Sequence, residues 1–282
     1  MAQASKSIGI KFAKLQATGN DFVLVDARGL KENWSALARA MCRRHFGVGA
    51  DGLILLLKSQ KADFAMRFFN PDGSESEACG NGLRCLARYL LQKGMAKGPL
   101  IKVETLGGIR MTEVRGELIR VGMGRPELVP EKIPVQVESH GPILDYPLEI
   151  KGWRLRLSFI SMGNPHAVYL QERPVVEFPL AEVGQAVENH PLFPRRTNFE
   201  VARVTGAGRI EVRVWERGVG ETLSCGSGAC AVAVAAQLKG MSGREVRVGL
   251  PGGELLVEWG GVGEAFLSGP AELIFEGEWP GS

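Results

Sequence analysis

Two short segments of the 282-residue chain place a thiol, two glycines and a small polar residue at one spacing: Cys79-Gly80-Asn81-Gly82 and Cys225-Gly226-Ser227-Gly228. Each stands directly before a stretch with helical patterning. Leu83, Leu86, Ala87, Leu90 and Leu91 fall on one helical face, and Lys93-Gly94 ends that helix. The second helix, starting near Ala229, is apolar nearly all round (Val232, Val234, Ala235, Ala236), is expected to be buried, and ends at Lys239-Gly240. The first N–H groups of a helix have no intrahelical partner, so both thiols are expected to gain from those donors and from the helix dipole, and to be acidified. The same amides, on Gly80, Asn81, Gly226 and Ser227, suit a substrate carboxylate. Matched thiols beside a carboxylate site suit inversion at carbon. One removes the α-proton from one face, the other delivers a proton to the opposite face, and the roles exchange in reverse. Donors fixed on the carboxylate stabilise the charge that grows there in the transition state, in place of an electron-sink cofactor. No cofactor and no metal are expected.

The elements that hold these residues repeat. Phe64, Met66 and Phe68 alternate with Ala65, Arg67 and Phe69, and Ile210, Val212 and Val214 alternate with Glu211, Arg213 and Trp215, so both segments read as strands. Arg67 and Arg213 lie 146 residues apart, as do Cys79 and Cys225, and Gly94 and Gly240. Gly19-Asn20 and Gly163-Asn164 are 144 apart, and Gly107-Gly108 and Gly252-Gly253 are 145 apart, like Gly124 and Gly269. A near-constant offset through strand, loop, helix and hairpin implies an internal duplication. The fold class is therefore α+β, with two structurally similar halves, each a sheet wrapped around a central helix, and the site expected in the cleft between them. Pro126, Pro130, Pro134, Pro142 and Pro147 mark the connection. The halves are expected at 1–126, completed by the C-terminal tail at about 270–282, and at 127–269.

Bulk properties narrow the substrate. With 45% hydrophobic and 23% charged residues the chain is expected to be globular, and a formal charge of only +3, with basic residues scattered, gives no footprint for nucleic acid or a membrane surface. A small-molecule substrate is the default. Met1 to Ser7 lack an apolar signal region and no apolar run approaches a bilayer span, so the chain reads as cytoplasmic. Five cysteines there are expected to be reduced. Cys42, Cys85 and Cys230 read as small buried hydrophobes, and His45 and His190 as structural.

Five segments resemble the diaminopimelate epimerase family over almost the whole chain: Ala17-Thr18-Gly19-Asn20-Asp21-Phe22, Gly47-Val48-Gly49-Ala50-Asp51-Gly52, the run from Asn70 to Cys85, Met162-Gly163-Asn164-Pro165-His166, and the run from Trp215 to Cys230. The resemblance implies a pyridoxal-independent isomerase that interconverts LL- and meso-2,6-diaminopimelate, on the lysine and peptidoglycan biosynthetic route, with Cys79 and Cys225 as acid and base. It implies a substrate site of Asn20, Asn70, Asn164, Asn198, Glu216 and Arg217, with backbone amides from Gly80, Asn81, Gly226 and Ser227. His166 and Glu216 would adjust the thiols, and a homodimer is the family expectation. Arg217 can hold a second carboxylate bidentately. Where the family often has glutamine this chain has Gly52, so a side-chain contact is missing there.

Two other readings are open. A cysteine hydrolase or acyltransferase with one thiol activated by His166 would leave the twin cysteine idle. A zinc or redox site made from Cys79, Cys85, Cys225 and Cys230 has spacings wider than the usual pairs.

Overall fold

A computed structural model describes residues 9–76, 79–206 and 208–280. The N-terminal stretch read for a signal, Met1 to Ser7, lies outside them. The chain forms two compact units, Met1–Val121 with Pro270–Ser282, and Gly122–Gly269.

In the first unit the strands are β1 (Ile10–Ala17), β2 (Asn20–Asp26), β3 (Gly52–Leu57), β4 (Phe64–Phe69), β5 (Glu75–Ser76), β6 (Leu100–Thr105), β7 (Gly108–Arg115) and β8 (Leu118–Gly124), the last ending across the unit boundary. Helix α1 (Trp34–Cys42) connects β2 to β3 and α2 (Gly80–Gln92) connects β5 to β6. The pairing runs antiparallel from β1 to β2, parallel to β3, and antiparallel to β4. From β4 it goes antiparallel to β5 and parallel to β6, then antiparallel through β7 and β8.

The second unit repeats this order. Its strands are β9 (Tyr146–Ile150), β10 (Trp153–Ser161), β11 (Pro165–Leu170), β12 (Asn198–Gly206), β13 (Arg209–Glu216), β14 (Gly220–Thr222), β15 (Glu245–Leu250), β16 (Gly253–Glu258) and β17 (Ala265–Pro270), with α3 (Leu180–Glu188) and α4 (Gly226–Leu238) in the places of α1 and α2. From β10 to β17 every pairing has the same sense as its counterpart from β1 to β8. The strand before β10 is β9. The strand beside β1 is the C-terminal β18 (Glu272–Trp279), which brings the end of the chain into the first unit.

Each sheet is covered on both faces, which is why its central strands read as continuous apolar runs. In β3, Leu53 and Leu55 pack with Ala38 and Met41 of α1, whereas Ile54 comes up beside the first turn of α2. In the second unit Phe199 and Val201 pack with Val183 and Val187 of α3, while Ala202, Val212 and Val214 pack with α4. Helix α4 can therefore carry no polar face: residues Gly228 to Ala236 are all buried. Matching ion pairs hold the outer edges, Arg67 to Glu75 and Arg213 to Glu221, both pairs set 146 residues apart.

Candidate active site

The two thiols are built the same way. Cys79 and Cys225 are the N-caps of α2 and α4, with φ/ψ of −133°/113° and −125°/111°. Each sulfur accepts from the third helical amide, Gly82 N–H or Gly228 N–H, at 3.4 Å. Ser227 Oγ adds a contact of 3.4 Å to the Cys225 sulfur. Gly80 and Gly226 are the first residues of the two helices, so their amides are among the unpaired donors.

Around this shared backbone the side chains differ. Register pairs His166 with Asn198 and Glu200 with Val214 in the second unit, and Phe22 with Gly52 and Ile54 with Phe68 in the first. Phe22 thus stands where His166 does, Ile54 where Glu200 does, and Asn70 where Glu216 does. Next to Cys79 its own unit offers apolar neighbours: Ile54 Cδ1 comes within 3.3 Å, and Cys79 Sγ within 3.6 Å, of where a Cβ on Gly82 would lie. Phe22 and Phe68 meet edge to face behind them.

Next to Cys225 lies a polar cluster. His166 and Glu200 are both fully buried, with His166 Nδ1 at 2.7 Å from Glu200 Oε1 and Nε2 at 3.0 Å from Asn164 Oδ1. Thr222 donates to Glu216 Oε1 at 2.6 Å, and burial raises the Glu216 carboxyl above its ordinary value. Cys225 is raised well above the ordinary thiol value. Burial is the main cause, followed by the negative charges of Glu216 and Glu200, which outweigh the helix amide and Ser227. For this cysteine the expected acidification is reversed: the dipole favours thiolate, but two buried carboxylates and loss of water favour the neutral thiol. The two thiols are not equivalent.

The amide side chains are held in place. Asn20 donates to Asp51 Oδ2 at 2.7 Å and accepts from Asn81 Nδ2 at 3.1 Å, and Asn81 in turn accepts from the buried Arg84 at 2.5 Å. Arg44 bridges Asp21 and Asp51 at 2.8 Å each. Asn70 caps a turn through Ser74 Oγ. Asn198 donates to Pro165 O and accepts from the Arg217 amide, each at 2.9 Å, which fixes the backbone that carries Arg217. The Arg217 guanidinium reaches Arg195 O at 3.0 Å. Gly19 and Gly163, at φ 82° and 94°, make the left-handed turns that aim Asn20 and Asn164. At Gly52 a Cβ would lie 2.4 Å from the Phe68 ring, so that ring fills the space a glutamine would need.

Glu188, Asp51, Arg84 and Glu200 are given no role in the sequence reading. Glu188 accepts from Trp215 Nε1 at 2.7 Å, Gly218 N–H at 2.8 Å and Arg196 at 3.1 Å, holding the turn after Arg217. Cys42 and Cys85 are raised by burial, Cys42 to about 12, and Cys85 and Cys230 are sealed within their units. No helix among the described residues is long and apolar enough to cross a membrane.

The model of the family described as diaminopimelate epimerase matches residues 12–129 and 158–274. The chain belongs to the diaminopimelate epimerase family. Relatives of that name include proteins from Pelotomaculum thermopropionicum, 49% identical with 95% of this chain and 98% of the relative covered, and Moorella thermoacetica, 49% identical with 95% and 99% covered. One from Methanococcus maripaludis is 45% identical, covering 95% and 99%. Among solved structures, a hydroxyproline epimerase from Agrobacterium vitis has a TM-score of 0.70 at 16% identity, covering 96% of this chain and 90% of the other. A phenazine biosynthesis protein of the PhzF family from Bacillus anthracis scores 0.67 at 18% identity, covering 96% and 98%. At these identities the two structures share the fold, and the family rests on the sequence matches.

Proposed function

We propose that the chain is an isomerase that interconverts LL- and meso-2,6-diaminopimelate without pyridoxal phosphate, using Cys79 and Cys225 as its two bases, in the cytoplasm and as a homodimer. The observation that carries this reading is the pair of cysteines capping α2 and α4 with one geometry in a chain of this family. The reaction asks the two sulfurs to address opposite faces of one α-carbon. The buried Cys225 thiol starts as the acid, and its resting proton is the one delivered when Cys79 removes the substrate's; in the reverse direction the roles exchange. The free amides of Gly80, Asn81, Gly226 and Ser227 take the α-carboxylate, whose charge grows as the proton leaves. Asn20, Asn70, Asn164, Asn198, Glu216 and Arg217 bind the remaining polar groups, with Arg217 on the distal carboxylate. His166 and Glu216 set the protonation of Cys225.

Incubation with LL-diaminopimelate in D₂O, without pyridoxal phosphate, is expected to yield meso product carrying α-deuterium. Cys79→Ser and Cys225→Ser should each lose about 10²–10⁴-fold in kcat, the range for a positioned acid or base. Either variant keeping full turnover would defeat the two-base reading. A hydrolase using one thiol would survive loss of the other.

A further inference from the structure

The internal duplication supplies a control for every residue near the thiols, and at one position the control is informative. Glu200 on β12 and Ile54 on β3 occupy equivalent places in the two units, each paired across to the next strand and each beside the first turn of the helix that its cysteine caps. Isoleucine satisfies the fold there. Glutamate is costly: its side chain has no exposed surface, and its Oε2 has no hydrogen-bond partner among the described residues. A buried carboxylate with an idle oxygen stands where the other copy of the fold holds an apolar side chain, and such an arrangement calls for a role other than stability.

The geometry points to Glu200 as a positioning residue that, through His166, fixes the amide of Asn164 for substrate. His166 faces two acceptors, Glu200 Oε1 on Nδ1 and Asn164 Oδ1 on Nε2. Glu200 anchors the ring at Nδ1, which leaves Nε2 aimed at the Asn164 oxygen. With its oxygen taken by the ring, Asn164 has its NH₂ left to donate elsewhere. Remove the carboxylate and the ring loses the contact that orients it, and the Asn164 amide can turn with it. The charged and titratable groups facing this cluster are Glu216 from β13 and Cys225 at the start of α4, and neither bonds to the ring. Phe22, in the place of His166, and Asn20, in the place of Asn164, show the alternative: there the amide is fixed by Asp51 instead.

This rests on the proposed epimerase reading for its kinetic consequence, but not for its spectroscopic one. In the resting protein, NMR of the His166 ring, assigned by its loss in His166→Gln, is expected to show ring N–H exchange strongly protected from solvent. In Glu200→Ile and in Glu200→Gln that protection should fall, since the carboxylate contact on Nδ1 is gone. Glu200→Ile alone leaves the buried ring without its partner and should melt below wild type, whereas Glu200→Ile/His166→Phe, which copies Ile54 and Phe22 of the first unit, should melt at or above the wild-type Tm, because replacing both members of a buried polar pair by apolar side chains is often neutral or stabilising. Turnover of diaminopimelate by either single variant should fall about 10²-fold in kcat/KM, most of it in KM, the size expected when a positioning contact slips. Ring exchange as fast in the wild type as in both single variants, wild-type KM in both, or an unfolded Glu200→Ile/His166→Phe would each overturn the assignment. Failure of the wild type to turn over diaminopimelate at all would instead strike the functional reading and leave the anchoring of the ring standing.

Discussion

At the level of single residues the thiols are distinguished by what surrounds them. Cys225 lies where burial and the carboxylates of Glu216 and Glu200 oppose its ionisation. The sign is definite: a negative neighbour raises a thiol, so removing one lowers it. Alkylation of Cys225 by iodoacetamide should therefore stay slow through pH 8 and accelerate only above the ordinary thiol value of 9, since the thiolate is the reacting form. In Glu216→Gln the whole rate profile should move to lower pH. Peptide mapping of the alkylated protein reads this out at Cys225 alone, and a profile unmoved or moved upward would show that burial acts there without the carboxylates. Cys79, Cys225, Asn164 and His166 were legible in the sequence because they lie in short glycine-punctuated motifs. Glu200 was not. In Asn198-Phe199-Glu200-Val201 an alternating glutamate reads as the wet face of a strand, and only the covering helix α4 turns that face inward. Arg84 was hidden for the same reason: it sits in an amphipathic helix yet has no exposed surface, because Thr18, Asn81 and the carbonyl of Pro270 close around it.

At the level of elements, the third residue of the helix that each cysteine caps is glycine in both copies, and the two glycines do different work. A Cβ on Gly82 would lie 3.3 Å from Ile54 Cδ1, the tip of a flexible side chain. A Cβ on Gly228 would lie 2.8 Å from Glu200 Oε1 and 3.4 Å from the Cys225 sulfur. Alanine ordinarily gains about 0.5–1 kcal/mol over glycine inside a helix. Gly82→Ala should keep roughly that gain less a small packing cost, so its Tm is expected within a few degrees of wild type. Gly228→Ala must push the carboxylate off His166 in a packed interior. A cost of about 1–3 kcal/mol is expected for overpacking, at about 2–4 °C of Tm per kcal/mol in a unit of this size. Thermal melts and kcat/KM of the two variants, measured together, test the asymmetry; equal behaviour would mean that the surroundings of the two helix starts are energetically alike. The pattern of apolar residues revealed both helices and their Lys-Gly ends, where Gly94 and Gly240 take φ 64° and 70°. It could not reveal what each first turn touches, because those partners come from strands far away in sequence.

At the level of the molecule, the repeat offset made the duplicated fold visible before any strand pairing was known. What the offset does not encode is the one strand that breaks chain order. In the second unit β9 precedes β10 as a hairpin through Lys151-Gly152, with Ile150 opposite Trp153 and both turn residues at positive φ, 50° and 76°. In the first unit the equivalent strand is β18, whose Trp279 lies opposite Ile10. It is well anchored: Phe275 meets Phe12, Gly277 lies under the Phe12 ring, Lys93 pairs with Glu276, and Arg88 donates to Ala271 O. Ending the chain after Ala271 would strip β1 of one of its two neighbours and leave an apolar edge strand, a template for aggregation. Such a truncation is expected to be insoluble or to elute as aggregates. The duplication itself suggests the rescue. Moving Ala271–Trp279 in front of Ile10 and joining them by Lys-Gly recreates the β9–β10 hairpin in the first unit, with a turn whose residues tolerate positive φ. If the strand is required for its pairing alone, and not for its place at the end of the chain, the permuted protein should be soluble, melt cooperatively and recover epimerase activity that the truncation lacks. A soluble, active truncation would show that β18 is dispensable. A permuted chain that still aggregates would show that its connection to β17 matters as much as its bonds to β1.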